Sequence, residues 1–74
     1  MYTVDTKELK KRMIDKGYDT IDSFSKDCDV NRNTLADIVN GRAFPSSAVM
    51  VKIGEALEIA GNDMGQIFFT KKLA

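Results

Sequence analysis

The feature that most constrains this chain is a pair of short amphipathic segments between Ile21 and Pro45, separated by a polar turn at Asp29. Within each segment two of the apolar residues are three or four positions apart, Phe24 with Cys28 and Leu35 with Ile38, as on one face of a helix. The apolar residues of this stretch are Phe24, Cys28, Val30, Leu35 and Ile38. The spacing predicts two short helices that cross steeply and share a small core.

The residues that flank the two segments predict where their helices begin and end. Thr20 is suited to cap a helix that runs from Ile21 to about Lys26 or Asp27. Asn31 is suited to cap the next helix, from Arg32 to Asn40. Gly41 follows at a position where a left-handed residue commonly ends a helix.

Two further helices are predicted on either side of this pair. Asp5 and Glu8 have the spacing of a capping box, and Gly17 is placed to end the helix that they begin. Ser46 or Ser47 is suited to begin a later helix with a broad apolar face. That face comprises Val49, Ile53, Ala56, Leu57 and Ala60.

The last third of the chain carries three more specific expectations. Phe44 is expected to fill the core from the loop before Pro45. Gly54 lowers helix stability by about 1 kcal/mol relative to alanine, so its presence indicates that another helix approaches closely there. Residues 61–62 are expected to end the fourth helix, and Asp63 with Gln66 to form the capping box of a fifth.

Composition narrows both the fold and the chemistry. Seventy-four residues, 43% hydrophobic and 30% charged, with no evident strand pattern, predict one all-α domain over residues 1–74, a five-helix bundle. A single cysteine and no histidine exclude an internal disulfide and the usual zinc and nucleophile sets, so neither an enzyme nor a cofactor is expected. Short apolar runs and a charged N-terminal segment indicate a soluble, cytosolic protein.

Charge is the most informative bulk property. Eleven basic residues balance eleven acidic ones, for a formal net charge of zero. From residue 19 to residue 40, five acids face two bases, a net charge of −3. A surface that binds DNA phosphates is usually basic, so this stretch is expected to repel a polyanion.

Three segments, residues 30–35, 41–46 and 52–57, resemble the lambda-repressor and Cro-like helix-turn-helix domains, often called the Xre family. The resemblance covers about residues 7–69, with the helix-turn-helix at about 21–40. It implies that the third helix enters the DNA major groove and that dimers recognise two half-sites. It also suggests a small regulator of a temperate-phage lysis-lysogeny switch.

The resemblance implies a set of candidate binding residues. The base-reading positions correspond to Asn31, Arg32, Asn33, Thr34, Asp37 and Asn40, with Arg42 as a phosphate contact. Three positions differ from the family pattern. Ile21 stands where glutamine often contacts phosphate and is followed by Asp22, while Ser25 and Asp29 replace the usual alanine and glycine.

Two functions follow as competing expectations. The first is an antirepressor whose acidic face, with Ile21 as an exposed apolar anchor beside Asp22, docks on the basic DNA-reading surface of a cognate repressor. The second is a Cro-like dimer that binds operator DNA directly through the third helix. An antitoxin is a third possibility.

Three side-chain groups carry alternative interpretations. Cys28 is expected to be a buried, inert thiol rather than a redox sensor. The basic residues of the first helix are expected to be solvated rather than to bind phosphate. The C-terminal apolar group either mediates a homodimer through the last helix or closes the bundle. This group comprises Ile67, Phe68, Phe69 and Leu73.

Overall fold

The computed structural model describes residues 2–71 of the chain, apart from the side chain of residue 71. Its elements, in chain order, are β1 (Tyr2–Thr3), α1 (Thr6–Asp15), α2 (Ile21–Cys28), α3 (Arg32–Val39), α4 (Ser47–Leu57), α5 (Gly61–Phe68) and β2 (Thr70–Lys71). The predicted all-α fold with five helices is confirmed. The two strands pair antiparallel and join the two ends of the described chain. No helix in this range is long and apolar enough to cross a bilayer.

The first helix begins with half of the predicted capping box. Asp5 Oδ1 accepts a hydrogen bond from the Glu8 N–H at 3.2 Å. The Asp5 N–H, however, donates to the carbonyl of Ile67 at 2.7 Å, and the Glu8 carboxylate instead accepts from Arg12. Asp5 therefore links the start of α1 to α5 as well as capping its own helix.

The core draws on all five helices, and its largest side chains are fully buried. They are Phe24, Phe68, Leu9, Leu35, Ile38, Ile53, Leu57 and Ile67. Cys28 also lies in this core, because α2 runs one or two residues further than predicted. Burial raises the pKa of its thiol, which keeps it protonated and unreactive. The prediction of a buried, structural cysteine is confirmed.

The expected close approach at Gly54 is confirmed. A Cβ at this position would lie 2.8 Å from the Sδ atom of Met64 in α5. Glycine leaves room here for the end of the Met64 side chain between α4 and α5, and a larger residue would require Met64 to shift.

The predicted boundary between α4 and α5 is wrong. Helix α4 ends at Leu57, and Glu58 follows with a left-handed backbone at φ 53°. Ala60 is consequently exposed outside the helix, and α5 begins at Gly61 without a side-chain cap. Asp63 lies inside α5, where its carboxylate pairs with Arg12 of α1 at 3.5 Å. This tertiary ion pair takes the place of the predicted capping box.

The prediction that Phe44 fills the core is also wrong. Pro45 is buried instead, while Phe44 is 47% exposed and its ring lies 6.0 Å from that of Phe69. Phe69 is equally exposed and also meets Tyr2 edge-on at 5.8 Å. We call these three residues the aromatic patch. Of the C-terminal apolar group, Ile67 and Phe68 are buried, and Leu73 lies outside the described residues.

Candidate functional site

Helices α2 and α3 are positioned by hydrogen bonds at their ends. Thr20 Oγ1 accepts from the Ser23 N–H at 3.1 Å, as predicted for the start of α2. Asp29 has a left-handed backbone at φ 57°, which turns the chain sharply toward α3. Asn31 Oδ1 then accepts from the N–H groups of Asn33 and Thr34, at 2.9 and 3.3 Å. The predicted caps of both helices are confirmed.

The cap at Asn31 affects its candidate role in binding. Its side-chain oxygen already holds the start of α3, so only its amide NH₂ group is available to a ligand. Asn31 is therefore in the first place a structural residue of the candidate site. It fixes the direction of the three exposed residues that follow it, Arg32, Asn33 and Thr34.

Most of the candidate residues share one exposed surface. Its buried counterpart is the opposite side of α3, formed by Leu35, Ile38 and Val39. We call the exposed surface the α2–α3 face. It comprises Asp22, Asn31, Arg32, Asn33, Thr34, Asp37, Asn40 and Arg42, with Asp37 only half-exposed. Ile21, expected to be an exposed apolar anchor, is instead partly buried and packs against the core.

Both arginines of the α2–α3 face are paired with carboxylates. Arg32 Nε forms an ion pair with Asp22 Oδ1, which joins the start of α3 to the start of α2. Arg42 Nε donates to Asp37 Oδ1 at 3.1 Å, and the Arg42 N–H donates to the Asp37 carbonyl at 2.7 Å. Both cations of this face thus already have a carboxylate partner within the protein.

A third cation reaches this part of the molecule from α4. Lys52 Nζ lies 3.1 Å from the carbonyl oxygen of Asp29 and 3.8 Å from its carboxylate. Sequence analysis did not identify this contact, because the two residues are 23 positions apart. All three ion pairs are largely solvent-exposed, so each contributes at most about 1 kcal/mol and can open when a ligand binds.

An exposed apolar residue that the sequence predictions did not include lies beside this face. Ile14, at the end of α1, is 67% exposed, the largest exposed fraction of any large apolar side chain in residues 2–71. The sequence does indicate that Ile14 is exposed, because it is an isolated isoleucine on the lysine-rich outer side of α1. Within the same range, no three acidic or cysteine side chains come close enough to hold a metal ion.

Comparison with known protein families gives one match. Residues 8–66 match the family described as Cro/C1-type HTH DNA-binding domain. No curated protein and no solved structure matches the chain significantly. The matched range contains all five helices apart from the first two residues of α1 and the last two of α5.

Proposed function

The chain belongs to the Cro/C1-type helix-turn-helix family of DNA-binding transcriptional regulators, and we propose that it acts as an antirepressor. Its α2–α3 face docks on the DNA-reading surface of a partner repressor and thereby blocks operator binding. We place this regulator in a temperate-phage lysis-lysogeny switch, because three of its segments resemble lambda-repressor and Cro-like proteins.

The observation that carries this proposal is the charge on and around the α2–α3 face. Arg32 and Arg42 are each paired with an aspartate of the face, so the face itself sums to zero, and the wider stretch of residues 19–40 has a net charge of −3. Binding to a DNA backbone gains most of its free energy from cations that replace phosphate counterions. A repressor surface that reads DNA is basic for the same reason, so the acidic stretch of residues 19–40 attracts it and steers the encounter.

A second candidate is a Cro-like dimer that binds operator DNA directly. Two observations favour it. Asn33 and Asn40 are exposed at opposite ends of α3, and amide side chains can pair with adenine in the major groove. The aromatic patch beside the end of α5 offers an apolar contact for a homodimer through the C-terminal helix.

A mobility-shift experiment separates the two functions. Operator DNA is incubated with this protein alone, with the partner repressor alone, and with both together. The proposal expects a shift only with the repressor, and loss of that shift when this protein is added. A sequence-specific shift by this protein alone would refute the proposal and support the Cro-like dimer.

The two functions predict opposite effects of a variant that removes acidic residues from the α2–α3 face. Changing Asp22→Asn together with Asp37→Asn preserves side-chain shape, frees both arginines and removes two negative charges. Docking on a basic repressor should weaken about tenfold or more, whereas direct DNA binding should strengthen. The matched control, Asp15→Asn with Glu55→Gln, removes the same charge from exposed positions outside the α2–α3 face and should change neither.

A further inference from the structure

A groove of about 290 Å³ lies beside the α2–α3 face. It is bounded by the end of α1, the link to α2, the start of α2 and the end of α3. Its walls are formed mainly by Ile14, Tyr18 and Ile21, and its floor includes Val39. The groove is thus an apolar surface in a part of the molecule that is otherwise polar.

The walls of the groove are already held in place. The Tyr18 ring packs at 4.9 Å from the fully buried ring of Phe24, and Ile21 packs against the core. Ile14 is the exception, because it projects from α1 with two thirds of its surface exposed. An isoleucine so exposed next to a formed apolar surface is available for a contact that would cover it.

The size of the groove indicates what it can hold. Pockets for small molecules usually enclose about 300–1,000 Å³, so this open groove falls just below that range. It is large enough for a single bulky side chain of another protein. Binding energy in protein interfaces is concentrated in such anchors, where an apolar pocket has a polar rim.

The groove is continuous with the α2–α3 face. Thr20 and Asn40 lie on its rim, and these residues also cap α2 and α3. Ile21 lies in its wall, directly before Asp22 of the face. A protein that covers the ion pair between Asp22 and Arg32 therefore reaches the groove without a further change in orientation.

The rim indicates the charge of the group that enters. Asp19 lies on the rim and forms no ion pair within the described residues, and Asp22 follows shortly after it. Lys10 lies on the rim as well and is the only cation there among the residues that the structure describes. An apolar side chain would pack against the walls of the groove, and a lysine or arginine next to it would form an ion pair with Asp19.

We infer that the groove formed by Ile14, Tyr18 and Ile21 receives one bulky apolar side chain of the partner repressor, flanked by a basic residue that pairs with Asp19. This inference rests on the proposed antirepressor function and names the anchor of its interface. It adds Ile14, Tyr18 and Asp19 to the binding surface and explains why an apolar residue begins α2.

The test compares two exposed aliphatic residues. Ile14→Gln removes the apolar wall without changing charge or lowering helix propensity, and Val51→Gln makes a comparable change on α4, where valine is 56% exposed. Affinity for the purified repressor is measured by titration, and helical content by circular dichroism. Ile14→Gln should bind about ten- to hundredfold more weakly, and Val51→Gln should bind normally.

Methyl NMR spectra of the unmodified protein supply the second measurement. On addition of the repressor, the methyl signals of Ile14 and Ile21 should shift, while those of Val51 stay in place. If a complex forms but Ile14→Gln binds normally and these signals do not move, the groove inference is wrong and the proposed function stands. If the unmodified protein forms no complex at all, the proposed function itself is refuted.

Discussion

Replacing Gly54 by alanine gives a quantitative test of the packing between α4 and α5. Gly54 is buried, and an added Cβ would lie 2.8 Å from Sδ and 2.9 Å from Cε of Met64. Favourable contacts between nonbonded carbon atoms are about 3.5–4.0 Å, so the end of the Met64 side chain must move by about 1 Å.

Two opposing effects determine how much Gly54→Ala changes the free energy of unfolding. Alanine stabilises a helix interior by about 1 kcal/mol relative to glycine. Overpacking a formed core destabilises by about 1–3 kcal/mol, and the flexible Met64 side chain places the value near 2. Gly54→Ala should therefore lower the free energy of unfolding by about 1 kcal/mol. In a Met64→Ala background the clash is absent, and the same change should raise it by about 1 kcal/mol.

Urea unfolding of the four proteins in this cycle measures the coupling between the two positions. A coupling free energy of about 2 kcal/mol is expected, with the sign of the Gly54→Ala effect reversed between backgrounds. Equal effects of Gly54→Ala with and without Met64 would show that the glycine is not required by this contact.

Three further predictions concern single residues. Asn31→Ala removes both hydrogen bonds that begin α3 and should lower the free energy of unfolding by about 1 kcal/mol in urea, with Asn62→Ala as an exposed control. Glu58→Gly relieves a left-handed residue and should raise stability by about 0.5–1 kcal/mol despite losing its exposed ion pair with Lys16; a lower melting temperature would contradict this. Burial raises the pKa of Cys28 above its ordinary 9.0, so its contribution to stability is present below pH 9 and is lost as pH rises further. Cys28→Ala should reduce that alkaline loss, and an identical pH profile would exclude the thiol as its cause.

Local signals in the sequence were sufficient to predict the helix pair. Thr20 and Asn31 accept hydrogen bonds from residues two or three positions ahead, so their roles depend only on neighbouring residues. The left-handed backbone at Asp29 and Gly41 also follows from residue type and position. Gly54 was informative because glycine is unfavourable in a helix unless packing requires it.

The errors arose where distant parts of the chain decide the outcome. Glu58 adopts a left-handed conformation that its residue type does not favour, and this shortened α4 relative to its apolar pattern. Asp63 has the spacing of a cap but pairs with Arg12, 51 residues earlier. Phe44 and Pro45 are both apolar, and apolarity alone did not indicate that Pro45, the smaller residue, is the buried one.

The candidate site, too, could be predicted from the sequence only in part. The excess of acids from residue 19 to residue 40 was evident in the sequence, but the pairing of Arg32 with Asp22 was not. These residues are ten positions apart on different helices, and only the packing of α2 against α3 brings them together. Sequence patterns report the net charge of such a face, whereas the fold determines which charges are left free.

The proposed preference of the α2–α3 face for a basic protein over DNA depends on which charges are left free. The ion pairs themselves are a small obstacle, because each exposed pair contributes about 1 kcal/mol or less and opens readily. Opening them to bind phosphate, however, leaves Asp22 and Asp37 unpaired next to a polyanion, so every cation gained is opposed by an acid. A basic partner has no such conflict, since its arginines and lysines can replace Arg32 and Arg42 at the same carboxylates. The direction of the preference is therefore set by the acids that remain after the pairs open, and less by the strength of the pairs.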